Sequence, residues 1–198
     1  MDTELENLQD HELMHQFQNG DEACFRELVE RHKKRVFNLT YRFLNGSSDA
    51  EDIAQEVFVK VYFAKSSYKP TAKFTTWLYV ITRNTCLQAI KRRGNTISMN
   101  EKASNSNETE VQALLTDATA KNPFEKILSA EKRQKIAEAI AKLPETQRMV
   151  ILLRRYDQLS YEEIAEVLGC SVQAVKSLLF RGRTSLKEHL REYFNEHA

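Results

Sequence analysis

Apolar residues recur at three- and four-residue steps along most of this chain, and no segment alternates apolar and polar as a strand would. The pattern predicts a short helix over Asp10–Gln18, with Leu13 and Phe17 on one face, broken by Asn19-Gly20-Asp21. A second helix carries Phe25, Leu28, Val29, Val36, Leu39, Thr40 and Phe43 and ends near Asn45-Gly46. Ser48 and Glu51 have capping-box spacing and open a third, with Ile53, Val57 and Val61 inward. After the Tyr68-Lys69-Pro70 loop, a fourth runs from about 75 to 93 with Phe74, Leu78, Ile81 and Thr85 along its inner side; Gly94 is its expected stop.

The composition then shifts. From 95 to about 122 the chain is rich in Ser, Asn, Thr and Glu and poor in large apolar residues. Such a segment buries too little surface to offset its conformational entropy and reads as a linker; the stretch 111–115 is amphipathic enough to order on binding. Helical periodicity returns at Phe124, continues through Ile136, Ile140 and Leu143, and restarts after Pro144 with Met149, Val150, Leu152, Leu153 and Tyr156. The expected fold class is all-α: two small helical domains, 1–94 and 124–198, joined by a flexible polar linker, 95–123.

Residues 159–177 predict a helix-turn-helix. Ser160 and Glu163 form a capping box, and Ile164, Ala165, Val167 and Leu168 make an apolar stripe. Ala165 is small where a second helix must cross, Gly169 sits where a left-handed residue turns the chain, and Ser171 can cap the second helix. Val175 points back into the pair. Residues 176–183 are basic and carry no acid. A basic second helix after a tight turn suits the DNA major groove.

The charge balance limits the class of partner. The 198 residues carry 29 Lys+Arg against 28 Asp+Glu, a net charge of +1. That excludes a protein that coats nucleic acid through a global field; DNA contact must come from local basic faces. No apolar run is long enough to span a membrane, and the acidic N-terminus lacks a signal pattern, so a cytoplasmic location is expected. Cys24, Cys86 and Cys170 lack metal or redox spacing and read as reduced small hydrophobes. His11 and His15 alone make a poor metal site. No metal or other cofactor is expected.

Two constellations stand out in the first domain. Asp52 and Glu56 lie four apart, with Glu51 and Gln55 beside them. That face suits a basic protein partner; an acidic first turn complementing the helix dipole accounts equally for 49–52, though not for Glu56. The second constellation runs from Tyr68 and Lys69 through Phe74 and Trp77 to Asn84, Gln88, Lys91, Arg92 and Arg93. Aromatics interleaved with amides and bases suit a single strand with an unstacked base. Phe74 and Trp77 have helical spacing and are expected in the core, whereas Tyr68, in the loop, is the candidate base contact. Asn84, Gln88 and Lys91 form one polar stripe, and Arg92 and Arg93 are expected to be ready for phosphate.

Four motifs in this order resemble bacterial RNA polymerase sigma factors of the extracytoplasmic-function (ECF) group. They are Asp-x-Glu-Asp-Ile-x-Gln-Glu-x-Phe (49–58), Phe-x-Thr-Trp-Leu-x-x-Ile-x-x-Asn (74–84), Leu-Pro-x-x-x-Arg (143–148) and Leu-Ser-Tyr-x-Glu-Ile-Ala (159–165). The resemblance covers about 10–93 and 124–194. It implies a sigma region-two-like first domain, which binds core polymerase and melts promoter DNA, and a region-four-like second domain.

By that resemblance, Asp52, Gln55 and Glu56 grip the polymerase's largest subunit. Tyr68, Lys69, Asn84, Gln88, Lys91, Arg92 and Arg93 meet the proximal promoter element, where one base is flipped. Gln173, Lys176, Ser177, Phe180, Arg181 and Arg183 read the distal element as duplex. The acidic linker threads toward the RNA exit path.

Leu178 stands where many members carry arginine, which removes one phosphate contact. The loop 69–73, with one proline and two lysines, is stiff and cationic in its own way. The resemblance implies a non-enzymatic transcription initiation factor whose partners are core RNA polymerase, promoter DNA and an anti-sigma factor, with no small-molecule substrate. The alternative is a stand-alone helix-turn-helix regulator that binds duplex DNA as a dimer; it accounts for the basic helix and leaves the acidic face without a role.

Overall fold

The computed structural model describes residues 2–71, 73–97 and 123–196, and every regular element among them is helical. The order is α1 (Asp2–Asn7), α2 (Asp10–Gln18), α3 (Glu22–Phe43), α4 (Ala50–Phe63), a 3-10 turn (Lys65–Ser67), α5 (Phe74–Ile97), α6 (Pro123–Ala141), α7 (Glu145–Arg155), α8 (Tyr161–Leu168) and α9 (Val172–Glu196). The amphipathic stretch 111–115 lies outside the described residues.

Local chemistry sets most boundaries. Asp21 accepts the Ala23 N–H at 2.9 Å and caps α3. Asn45 and Gly46, at φ 60° and 74°, end it in the left-handed region. Helix α1 was not expected from the pattern. Arg31 of α3 holds its end by donating to the carbonyls of Leu5 and Leu8, each at 2.7 Å, and of Glu6 at 3.0 Å. These include the orphan acceptors of a last helical turn.

Two boundaries correct the expectation. Ser48 and Glu51 do not cap α4: the residue before the helix is Asp49, whose side chain caps nothing. The Asp49 carboxylate is held instead by Arg93 and by the Ser47 hydroxyl. Gly94 does not stop α5, which continues to Ile97. A glycine inside a helix costs about 1 kcal/mol, a penalty the rest of a long helix can absorb.

The apolar side chains form two cores. One lies within α2 to α5 and includes Leu13, Met14, Phe17, Leu28, Val57 and Leu78. The other joins Leu39 and Phe43 of α3 and Tyr79 and Cys86 of α5 to Val150, Leu152, Leu153 and Ile164 of α7 and α8. Burial of each such side chain contributes about 1.5–3 kcal/mol, so the N- and C-terminal helices are held together by apolar contact. Polar contacts seal the seam. Arg148 donates to the Phe43 carbonyl at 2.8 Å, Tyr79 donates to Asp157 at 2.6 Å, and the Arg42 guanidinium lies 4.1 Å from the centre of the Tyr156 ring.

Candidate functional site

The helix-turn-helix is assembled as its local residues dictate. Ser160 Oγ accepts the Glu163 N–H at 3.1 Å, and Glu163 Oε2 accepts the Ser160 N–H at 2.7 Å. Gly169 turns the chain at φ 65°, and Ser171 Oγ accepts the Ala174 N–H at 3.2 Å to start α9. Ile164 and Val175 are fully buried between the two helices. Gln173, Lys176, Ser177, Phe180, Arg181 and Arg183 are all exposed on α9, and Phe180 is 72% exposed.

Two features of α9 went unread in the sequence. Gly182 is buried, and a Cβ there would stand 3.2 Å from Ile151 Cγ1, so glycine lets α9 approach α7. Leu178 is half-buried against the shared core, which gives the position an apolar packing role.

In the N-terminal helices, α4 and α5 lie side by side and bring the two expected surfaces together. Asp52 and Gln55 are exposed on α4. Glu56 is half-buried and pairs with Lys60 and with Arg92, each at 2.9 Å. Burial pushes its carboxyl up, but the hydrogen bonds from Lys60 and Arg92 outweigh that and hold it below the usual carboxylate range. Lys60 also donates to Gln88 Oε1 at 2.7 Å and Thr85 Oγ1 at 3.2 Å. Arg93 binds Asp49 and donates to Ser47 Oγ at 2.6 Å. The Arg93 hydrogen bond, helped by Ser47, holds the Asp49 carboxyl at about 2.

Arg92 therefore pairs with Glu56 of α4 and Arg93 with Asp49 just before it, so each of the two bases expected to be ready for phosphate already holds a carboxylate in this structure. Their partners lie 36 and 44 residues away, beyond any local pattern. Asn84, Lys91 and Lys69 are exposed as expected, as is Gln88, whose side-chain carbonyl Lys60 holds.

Tyr68 requires a second correction. It lies in the loop yet is only 4% exposed, with its ring edge-on to Trp77 at 5.4 Å and to Phe74 at 5.9 Å. Phe74 is buried and Trp77 half-buried, in keeping with a core role. Tyr68 does line one side of an open cleft of about 680 Å³, which Lys73, Phe74, Gln9, Asp10 and Arg31 also border. Asp10 is held below its usual range: burial opposes this, and hydrogen bonds from His32 and Arg31 prevail.

Val59 and Phe63, exposed by 53% and 77%, extend the α4 surface beyond Glu56. Their spacing from Asp52 and Gln55 was the available signal, hidden because periodicity alone assigns large apolar residues to a core.

All three cysteines are free; Cys24 and Cys86 are buried and Cys170 half-buried. Burial pushes the Cys86 thiol up to about 11, which suits an inert core residue. Among the described residues no group of three or more His, Cys, Asp or Glu could hold a metal ion, and no helix is long and apolar enough to cross a membrane.

An exposed cationic helix in a helix-turn-helix, joined to a helical domain with interleaved acids, amides and bases, defines a two-domain helical DNA-binding protein. Residues 28–96 match the Sigma-70 region 2 family and 133–186 match Sigma-70 region 4. The chain is 34% identical to the ECF RNA polymerase sigma factor SigW of Bacillus subtilis, over 89% of this chain and 94% of that one. It is 37% identical to the ECF RNA polymerase sigma-E factor of Escherichia coli, over 91% and 94%. The chain therefore belongs to the ECF sigma factors.

The same fold appears in CnrH, solved in complex with the cytosolic domain of CnrY. There the TM-score is 0.66 at 24% identity, covering 92% of this chain and 97% of that one. It appears again in the sigma factor RpoE of Bartonella quintana, solved with the anti-sigma factor NepR. Here the TM-score is 0.64 at 22% identity, covering 84% and 96%.

Proposed function

We propose that this chain docks on core RNA polymerase and directs it to promoters, working through two domains, 1–94 and 124–198, on either side of a linker at 95–123. Asp52, Gln55 and Glu56 meet polymerase. Asn84, Gln88, Lys91 and Lys69, together with Arg92 and Arg93 once released, meet the melted proximal element, and Tyr68 borders a cleft that Lys73 and Phe74 also line. Gln173, Lys176, Ser177, Phe180, Arg181 and Arg183 read the distal element as duplex through phosphate and base-edge contacts.

The observation that supports this reading is the packing of α4 against α5, with Asp52 and Gln55 exposed on one helix and Asn84, Gln88 and Lys91 exposed on the other. Unstacking one base costs a few kcal/mol, which the cleft and its polar rim can offset. The polymerase performs the chemistry, in the cytoplasm, and this chain needs no catalytic group or cofactor. NepR, an anti-sigma factor, accompanies the Bartonella relative in its solved complex, and the family membership supports a corresponding partner here.

Run-off transcription with bacterial core polymerase over a library of promoter fragments tests the proposal. Starts that depend on the added protein are expected. The double variant Asp52→Lys, Glu56→Lys should abolish them while duplex binding by the chain persists. No protein-dependent starts, together with tight duplex binding by a dimer of the chain alone, would establish a free-standing regulator instead.

A further inference from the structure

A smaller cavity, of about 240 Å³, opens at the seam between the two halves of the chain. Arg35, Asn38 and Arg42 of α3 line one side, and Tyr156, Asp157 and Gln158 of the loop after α7 line the other. That volume falls below the ~300 Å³ at which drug-sized ligands begin to fit, so its occupant is small. None of these residues belongs to the surfaces proposed above, so the site stands or falls apart from the sigma-factor reading.

Its polar groups are left without partners. Among the described residues neither Arg35 nor Arg42 donates a side-chain hydrogen bond or forms an ion pair. Asp157, the one acid in the lining, accepts from the Tyr79 hydroxyl at 2.6 Å and meets the two arginines only at longer range. Asn38 Oδ1 is buried with no hydrogen-bond partner, where buried polar atoms are as a rule satisfied. Gln158 stands at φ 57°, a left-handed position after a helix that glycine ordinarily takes. The backbone is thus strained at a residue whose side chain borders the cavity.

We propose that this cavity binds a small diphosphate-bearing anion, which bridges the two halves of the chain. Two guanidinium forks set two helical turns apart, about 10 Å along the axis, suit two phosphoryl groups better than one carboxylate. Gln158 donates from the loop side, and the Asn38 amide meets a ligand oxygen or hydroxyl. Two cations against one carboxylate favour an anion. Because α3 and the 156–158 loop then share one ligand, binding tightens the seam that Arg148 and Tyr79 already hold.

Isothermal titration of inorganic diphosphate into the full-length chain, at fixed ionic strength, is the test. Arg35→Gln should weaken binding by about ten-fold, the scale of losing hydrogen bonds to a charged group. Arg35 is exposed, so this variant should melt as the wild-type chain does. Arg26→Gln removes the same charge from an exposed site elsewhere on α3 and should change affinity by about two-fold or less. Gln158→Gly relieves the left-handed strain, so the free chain should be at least as stable while diphosphate affinity falls by about three- to ten-fold. Diphosphate should also slow amide exchange at residues 156–159, the mark of a loop pinned to α3.

No binding of diphosphate by the wild-type chain, equal losses in Arg35→Gln and Arg26→Gln, or orthophosphate binding as tightly as diphosphate would each overturn the site. Binding without slower exchange in the loop would overturn the bridge. A duplex DNA fragment separates the other source of phosphate. It should leave diphosphate binding unchanged; displacement of diphosphate by duplex would assign the two arginines to a nucleic-acid backbone and overturn the small-ligand site.

Discussion

The Tyr79 hydroxyl donates a 2.6 Å hydrogen bond to Asp157, 78 residues further along the chain, and ties α5 to the loop before α8. Both groups are withdrawn from water. Burial raises the Asp157 carboxyl above its usual range, against the hydrogen bond from Tyr79 and the charges of Arg35 and Arg42. A carboxyl whose folded pKa exceeds its unfolded one stabilises fully only below the unfolded value of about 3.8. That contribution is lost as pH climbs through the folded value.

Tyr79→Phe removes the donor and pushes the carboxyl higher still. The expected cost is about 1–2 kcal/mol at neutral pH, shrinking on acidification as Asp157 becomes protonated. Urea unfolding of both proteins at neutral and acidic pH checks this. Equal losses at the two pH values would mean that Asp157 does not titrate at the seam.

Two helical glycines should respond differently to alanine. Gly94 lies within α5 and has nothing within 4 Å of an added Cβ, so Gly94→Ala should stabilise by about 0.5–1 kcal/mol through helix propensity. At Gly182 the Cβ would meet Ile151 Cγ1 at 3.2 Å and Gln147 Cβ at 3.6 Å. Ile151 is itself buried and has little room to yield, so Gly182→Ala should gain nothing and Gly182→Val should lose about 1–3 kcal/mol by overpacking. Thermal melts of the three variants decide it.

Arg31→Lys tests what holds α1. The guanidinium fork spans three carbonyls and also pairs with Glu27 at 2.7 Å and Asp10 at 3.3 Å. A lysine keeps the charge and loses the fork. Amide exchange in residues 5–9 should accelerate about as much in Arg31→Lys as in Arg31→Ala. Full protection in the lysine variant would show that charge alone suffices.

The legible and illegible parts of this protein divide by the reach of each interaction. Ser160, Glu163, Gly169 and Ser171 act on backbone within a few residues, so the helix-turn-helix could be read from spacing alone. Asp52 and Gln55 were also legible, because an exposed helix face repeats locally. The bonds of Arg31 to α1, Arg93 to Asp49 and Arg92 to Glu56 cross between helices, and periodicity carries no sign of them. Tyr68 failed for a related reason. Its loop position suggested exposure, but Phe74 and Trp77 from the next helix close over it. The acids and bases of α4 and α5 were individually visible; that they neutralise each other was a property of packing.

Arg148 shows the same limit within a motif that spacing did single out. The Leu-Pro-x-x-x-Arg pattern carried no role for its arginine. In the fold that side chain is buried and donates to the carbonyls of Ala141 at 2.5 Å, Leu143 at 3.1 Å and Phe43 at 2.8 Å. It thus caps the end of α6 and binds the end of α3 at once. Burial lowers its pKa, partly offset by Glu145, and a guanidinium in such a site remains charged. Arg148→Met keeps apolar bulk but leaves three carbonyls without this donor, at an expected cost of about 3 kcal/mol. Arg148→Lys should recover little, since one ammonium cannot reach all three. Hydrogen exchange discriminates best: protection at the ends of α3 and α6 should fall together in Arg148→Met. Loss confined to α6 would mean that the contact with Phe43 does not hold the two halves of the chain together.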